Sequence, residues 1–160
     1  MLNPDVTKWI MASFSTHFRD KCARDDFPMY LEGTGRKANT SPNYWEYRTN
    51  GPYVNQLTQN EWHIWYIVNI LIAHGIDDEN MFTMYKNQGD IVAAFTPSIE
   101  LRKYGTGEND DSSLVDCFKL CTDTGEKIKV TNFGQLVDHL RVMQSTIEAT
   151  YELYTVNVNK

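Results

Sequence analysis

Hydrophobic residues recur along the chain with two spacings, one typical of β-strands and one typical of a helix. The clearest strand pattern lies at residues 61–73, where the sequence is EWHIWYIVNILIA. At a period of two, one face of this segment is entirely apolar and consists of Trp62, Ile64, Tyr66, Val68, Ile70 and Ile72. The opposite face mixes apolar and polar side chains, so we expect a helix or a neighbouring subunit to cover it. The segment predicts a central strand of a sheet.

The N-terminal segment has the spacing of an amphipathic helix. Asn3 and Pro4 are typical of a helix start, because asparagine caps free N–H groups and proline lacks an N–H that would stay unpaired in the first turn. The apolar stripe that follows consists of Val6, Trp9, Ile10, Phe14, Phe18 and Cys22. We expect this helix to pack on the sheet.

Shorter alternating segments predict further strands at residues 29–32, 44–49, 98–104, 114–121 and 141–154. Strand 44–49 is expected to end at Asn50-Gly51-Pro52, before a loop of about a dozen residues that leads to the central strand, its antiparallel neighbour. Residues 127–130 are expected to form a hairpin with strand 114–121, and residues 77–95 predict a helix. The predicted fold is α+β: a mixed, mainly antiparallel β-sheet flanked by an N-terminal helix and one or two further helices.

Length and charge narrow the class of protein. A chain of 160 residues predicts a single domain, 1–160, that is long enough to bury a core. Its formal net charge of −6 argues against a protein whose whole surface binds nucleic acid. The three cysteines form no CxxC pair and are expected to be free thiols in a reducing cytosol. No segment is long and apolar enough to predict a membrane span.

Side chains capable of chemistry are present but are not arranged as a known active site. His63, His74 and His139 do not have the spacing of metal ligands, and no serine lies in a GxSxG motif. We therefore expect no enzyme, no cofactor and no metal. An enzyme of unrecognised type would need titratable groups that converge in a pocket, and Asp116, His139 and Glu148 are the positions to inspect.

Two other groups of residues suggest surfaces rather than catalysis. One is an acidic loop, which lacks the ligand spacing of a calcium-binding loop and contains Glu108, Asp110 and Asp111. The other is a set of aromatic residues, Trp45, Tyr47, Tyr53, Trp65 and Tyr66. Few lysines or arginines lie between these rings, which favours sheet core or a subunit interface over a stacking platform for single-stranded nucleic acid.

The order of short sequence words resembles a known family over nearly the whole chain. The words are KWIMASFSTHF, YWEYRTNGPY, EWHIWYIVNILI, KNQGDIVAAF, SIELRKYG, LVDCFKL, VTNFGQL and MQSTIEATYELY. In this order they resemble the small neck and tail-completion proteins of tailed bacteriophages, tail terminators in particular.

The resemblance implies a structural role in the virion. A tail terminator would form a ring, expected to be hexameric, that caps the tail tube and joins it to the head-side connector. The protein would be made in the cytoplasm of the host bacterium, and DNA would pass through the ring without specific binding. In this interpretation the subunit interface includes Trp45, Tyr47, Tyr53 and Trp65. The acidic loop with Glu108, Asp110 and Asp111 would face the lumen.

Ring assembly also raises the question of which strands pair across subunits. Sheet edges must be paired across subunits or protected, and neither the central strand nor the last strand contains a proline that would block its pairing. The alternatives to a terminator are another neck protein (a head–tail adaptor or head-completion protein), a tail tube subunit, and a small phage-encoded inhibitor that binds a host protein.

Overall fold

The protein is described by a computed structural model that covers residues 2–32, 43–75, 81–104, 113–121, 128–135 and 142–155. Within these ranges two helices and seven strands follow one another as α1 (Val6–Cys22), β1 (Met29–Leu31), β2 (Tyr44–Gln56), β3 (Trp62–Gly75), α2 (Met81–Ala94), β4 (Ser98–Arg102), β5 (Leu114–Leu120), β6 (Lys129–Gln135) and β7 (Val142–Thr155). Both helices bury side chains against the same face of the sheet. The expected α+β class is confirmed. No helix in the described ranges is long and apolar enough to cross a membrane.

All seven strands form one sheet, in which β1 runs parallel to β2 and the other pairs are antiparallel. The strand order is β1-β2-β3-β7-β5-β4, and β6 lies beside β7 on the same side as β5. Because β7 has 14 residues, β6 pairs with its first half and β5 with its second half. The expected hairpin between β5 and β6 is therefore wrong: β6 gains a longer ladder on β7 than a hairpin at 127–130 would have provided.

The two long strands β3 and β7 lie inside the sheet. β3 pairs with β2 on one side and with β7 on the other, and β7 is paired on both sides as well. Although neither strand contains a proline, they are not available for pairing across subunits, because strands of the same subunit already pair with them.

Strand β2 continues through Asn50-Gly51-Pro52, where the sequence predicted its end. A register shift between Asn50 and Tyr53 places one extra residue in β2, so this is a β-bulge that leaves Gly51 and Pro52 outside the ladder. Gly51 has φ of 102°, a conformation that side-chain-bearing residues rarely adopt. The connection to β3 is the five-residue stretch 57–61 rather than a loop of a dozen residues.

The hydrophobic core lies between α1 and the sheet. Every residue of the predicted α1 stripe is buried, and so are five of the six residues predicted on the apolar face of β3, Trp62 being half-buried. Phe14 lies at the centre, where its ring meets Tyr66, Phe118 and Tyr151 edge-on at centroid distances of 4.7, 5.1 and 5.4 Å. Such edge-to-face pairs add about 0.5–1.5 kcal/mol each to the burial of the rings.

A chain of polar side chains that starts at the buried His74 connects β3 to α2 and reaches the surface at Arg24 and Asp90. Asn87 donates a hydrogen bond of 3.0 Å to Nε2 of His74, which is 1% exposed, and accepts one from Arg24 through its carbonyl oxygen. Arg24 also forms an ion pair with Asp90 at 3.1 Å, and Phe27 packs on the imidazole. Because Nε2 accepts this hydrogen bond, it carries no proton, and the neutral imidazole fits the site. Burial lowers the pKa of His74 below its ordinary value of about 6.5.

We expect acid to weaken the fold through His74. The unfolded chain binds a proton at this histidine more readily than the folded chain, so stability is complete above about pH 6.5 and falls as the pH decreases through the lower folded pKa. The slope for one such group is at most about 1.4 kcal/mol per pH unit. Urea unfolding between pH 7.5 and 5.5 measures it. His74→Gln, whose side chain does not titrate, should give a flatter profile; equal profiles would contradict the prediction.

Candidate functional site

The sheet face opposite the helices is here called the outer face. The strand registers and alternation place on it Tyr44, Glu46, Arg48, Tyr53 and Asn55 from β2, His63, Trp65, Ile67 and Asn69 from β3, and Thr146, Glu148, Thr150, Glu152 and Tyr154 from β7. Neither helix covers it, and most of these side chains are half-buried by one another. Antiparallel sheets often present one face to solvent, but such a face is normally polar. This one is rich in aromatic rings.

Four of the rings form a row at the end of the sheet where β2 turns into β3. Tyr53 stacks on Trp65 at 5.4 Å and 17°, and His63 stacks on Tyr154 at 4.2 Å and 4°. His63 and Trp65 are 5.1 Å apart and join the two pairs. We call these four residues the aromatic row. Its two ends are exposed, with Tyr53 at 44% and Tyr154 at 61%.

Charged groups beside the row are paired with neighbours on the same face. His63 Nε2 lies 3.3 Å from a carboxylate oxygen of Glu152, and Asn69 donates a hydrogen bond of 2.9 Å to Glu148. Stacking covers one face of each ring, and the charged side chains nearest to the row are the carboxylates of Glu152 and Glu148. Carboxylates beside the rings disfavour the binding of nucleotides, whose phosphates need nearby cations. The row suits contact with another protein surface.

The predicted interface residues separate into two groups. Tyr53 and Trp65 come together in the aromatic row, and their role in an interface stays a prediction. Trp45 and Tyr47 are 0% and 2% exposed and belong to the core of the subunit itself, which corrects the expectation for these two side chains. Their alternation along β2 points them at the helices. Tyr154, the most exposed ring of the row, was missed; its apolar character on the polar face of β7 was the available indication.

The other positions singled out from the sequence do not converge. Glu108, Asp110, Asp111 and His139 lie outside the described residues. Asp116 accepts the N–H of Cys117 at 2.8 Å, whereas Glu148 lies on the outer face. In the part of the chain that the structure describes, no group of three or more His, Cys, Asp or Glu side chains could hold a metal ion.

Two of the thiols have pKa values above their usual range. Burial raises the pKa of Cys22 to about 11, with the charge of Asp90 as a second cause. Partial burial also raises the pKa of Cys117, to which Glu100 and Asp116 contribute. Both thiols stay protonated near neutral pH and are poor nucleophiles.

A groove of about 420 Å³ lies between α1 and β4. Burial lowers the pKa of His17, which lines it, and the Nε2 atom of this histidine lies 2.8 Å from the carbonyl oxygen of Ala94. Nε2 must therefore donate, and it cannot act as a base towards the Thr96 hydroxyl 3.4 Å away. That hydroxyl donates instead to the carbonyl of Ser98 at 2.8 Å. The pair is thus not an activated nucleophile and base.

The same helix covers the edge of β4. The hydroxyl of Ser13 accepts the N–H of Arg102 at 2.9 Å and donates to the carbonyl of the same residue at 3.3 Å. Ser13 is 4% exposed, so these bonds are shielded from water. One side chain thereby replaces the strand that would otherwise pair at this position.

Comparison with known proteins gives a fold likeness only. No protein-family model matches the chain, and no curated protein matches it. Among solved structures, fourteen chains match; one aligns over 91% of this chain and 94% of its own length, with a TM-score of 0.57 and 12% sequence identity. At this identity the likeness shows a shared fold and carries no function.

We expect Ser13→Ala to lower the free energy of unfolding by about 1–3 kcal/mol, because it removes the partner of a buried main-chain N–H at the edge of β4. Chemical denaturation measures the loss. Ser15→Ala in the same helix is the matched control, since the Ser15 hydroxyl donates to the carbonyl of Ala12 one turn earlier in its own helix. Its effect should stay within about 0.5 kcal/mol. Equal losses for the two variants would contradict the role given to Ser13.

Proposed function

We propose that the protein is a structural subunit of a tailed-bacteriophage neck, a tail terminator whose copies form a ring that caps the tail tube and joins it to the head-side connector. The resemblance of the sequence words suggests this role. The observation that supports it most directly is the aromatic row on the outer face, where exposed rings are flanked by paired charges.

The composition of this surface is that of a protein contact. Tyrosine and tryptophan are enriched at the centres of interfaces, where they bury large areas with little loss of side-chain freedom. Tyr154 and Tyr53 are exposed at opposite ends of the row, while Trp65 and His63 between them are half-buried. A partner that covers the ends of the row would extend an existing stack of rings. This arrangement supports an assembly role, with no catalytic chemistry, for the outer face.

The net charge of −6 fits passage of DNA through the ring. A surface with an excess of carboxylates repels the phosphate backbone, so DNA would slide past it without binding. The acidic residues Glu108, Asp110 and Asp111 stay predicted lumen residues in this proposal.

The location of the protein tests the proposed function. We expect mass spectrometry to detect the chain in purified virions and immunogold electron microscopy to place it at the junction of head and tail. A chain that is abundant in infected cells but absent from virions would overturn the proposal and favour the inhibitor of a host protein. Label along the whole tail would instead identify a tail tube subunit.

Substitutions in the aromatic row test the surface. We expect Tyr154→Asp and Trp65→Asp to reduce ring formation on isolated tail tubes by about tenfold or more, because each buries an unpaired charge where a ring packed. Negative-stain electron microscopy counts capped tubes, and circular dichroism checks the fold. Thr83→Asp, at an exposed position of α2 away from the outer face, adds the same charge without removing a ring and should cap tubes normally. If Trp65→Asp lost folding and assembly equally, Trp65 would belong to the core instead.

A further inference from the structure

One end of β2 has main-chain groups that find no partner among the described residues. The N–H of Leu57 donates to the carbonyl of Glu61 at 2.9 Å, so the main chain of Leu57 points towards β3. Along an antiparallel strand, the N–H and C=O groups of successive residues point alternately to one side of the strand and to the other. Tyr53 and Asn55 therefore also point towards β3, whereas the N–H and C=O groups of Val54 and Gln56 point away from the sheet. No described strand pairs with them there, since β1 covers β2 only at residues 45–47.

Strand β6 has a matching edge. The carbonyl of Thr150 accepts the N–H of Cys121 at 2.8 Å. The main-chain N–H and C=O groups of even-numbered residues of β7 therefore point away from β3. These residues face Lys129 and Thr131 of β6. The N–H and C=O groups of Val130 and Asn132 consequently point away from β7, and no described strand lies beyond them.

At both edges, the residues whose main chain points outwards are neither charged nor proline, and the bulge of β6 between Asn132 and Gly134 lies after them. Exposed edges are commonly protected by charged side chains, by proline or by a bulge. Residues 49–60 contain no charged residue, and the bulge at Gly51-Pro52 lies before the free stretch of β2. Residues 130–135 are also uncharged. Exposed apolar side chains accompany both edges: Val54 and Leu57 on one, Val130 and Phe133 on the other.

The chain protects the edge of β4, in contrast to the edges of β2 and β6. At β4 the hydroxyl of Ser13 bonds the main chain of Arg102, and Thr96 bonds the carbonyl of Ser98. Side chains of the subunit thus occupy both ends of that edge, and α1 lies along it. Nothing equivalent occurs at Val54 or Val130 within the described residues.

We propose that the free edge of β2 in one copy pairs with the free edge of β6 in the next copy, so that the sheet continues from subunit to subunit. Each edge presents two residues, two positions apart, with both N–H and C=O directed outwards. Together they supply four main-chain hydrogen bonds. The second copy is the occupant because one chain carries both halves at diagonally opposite corners of its sheet. The free end of β2 is level with the end of β7 on the far side of β3, and β6 lies beside the start of β7.

Such a contact joins two different surfaces, one from each of two copies of the chain. A head-to-tail contact of this kind forms a closed ring when the rotation between copies closes, and an open filament when it does not. The closure of the assembly into a ring rests on the proposed function. The edge contact itself does not rest on it.

Disulfide trapping tests the contact. In an antiparallel pairing that forms all four bonds, Val54 lies opposite Asn132. Val54→Cys and Asn132→Cys are prepared as separate proteins, each with Cys117 and Cys121 replaced by serine, then mixed and oxidised on isolated tail tubes. Residues opposite each other on paired strands have Cβ atoms about 4.5–5.5 Å apart, so a small shift brings them into the range of about 3.5–4.5 Å that a disulfide bond needs. We expect a cross-linked dimer only in the mixture, with Val130→Cys as a second partner for a register shifted by two residues. Asn55→Cys, whose side chain points to the outer face, should cross-link at least tenfold less.

A proline variant supplies an independent measurement. Val54→Pro removes an N–H that points away from β3, so the pairing inside the subunit is retained. We expect circular dichroism like that of the unmodified protein and at least a tenfold loss of capped tubes. No cross-link with either partner would overturn the edge contact, even if the protein occurs at the neck of virions. Efficient cross-linking of a protein that is absent from virions would overturn the proposed function and leave the contact standing.

Discussion

The pairing of β3 on both sides along its length is the constraint on which the rest of this structure depends. A continuous ladder to β7 and a ladder to β2 that one bulge interrupts hold the strand in its register, and the period of two then divides its side chains between two faces. Ile64, Tyr66 and Val68 face α1 and form the floor of the core, while His63 and Trp65 face outwards. A slip of one residue in either ladder would exchange these faces, so the core and the outer face are specified together.

The bulge in β2 explains why aromatic residues of one strand serve different surfaces. Before the bulge, the odd-numbered Trp45 and Tyr47 point at the helices; one extra residue at Gly51-Pro52 reverses the parity, and the odd-numbered Tyr53 then points outwards. The bulge also moves the unpaired main-chain groups of the hairpin end to the even positions Val54 and Gln56. A single inserted residue therefore decides both which rings reach the aromatic row and which groups remain at the edge.

Sequence periodicity predicted the parts of the fold that depend on neighbours in the chain. The α1 stripe from Val6 to Cys22 and the apolar face of β3 follow from local spacing and were confirmed. The continuation of β2 was missed because Asn-Gly-Pro has the composition of a turn, and a bulge becomes visible only when the partner strand is known. The partner of β6 was missed for a related reason: β7 is long enough to accept two strands end to end. Of the candidate site, Tyr53 and Trp65 were placed on one face only by this long-range pairing.

The aromatic row and the free edge of β2 occupy the same end of the sheet, and the first stabilises the second. Stacking of Tyr53 on Trp65 and of His63 on Tyr154 ties β2, β3 and β7 together beyond the point where β1 ends. An edge strand that carried only its main-chain hydrogen bonds would fray towards solvent. Held by the stack, Val54 and Gln56 keep their N–H and C=O groups in the extended geometry that a second strand needs, so little ordering is left for the moment of contact. Main-chain groups directed outwards and exposed aromatic rings thus lie at the same end of the sheet. A second protein would bury the rings and pair with the main-chain groups at once, which water cannot do.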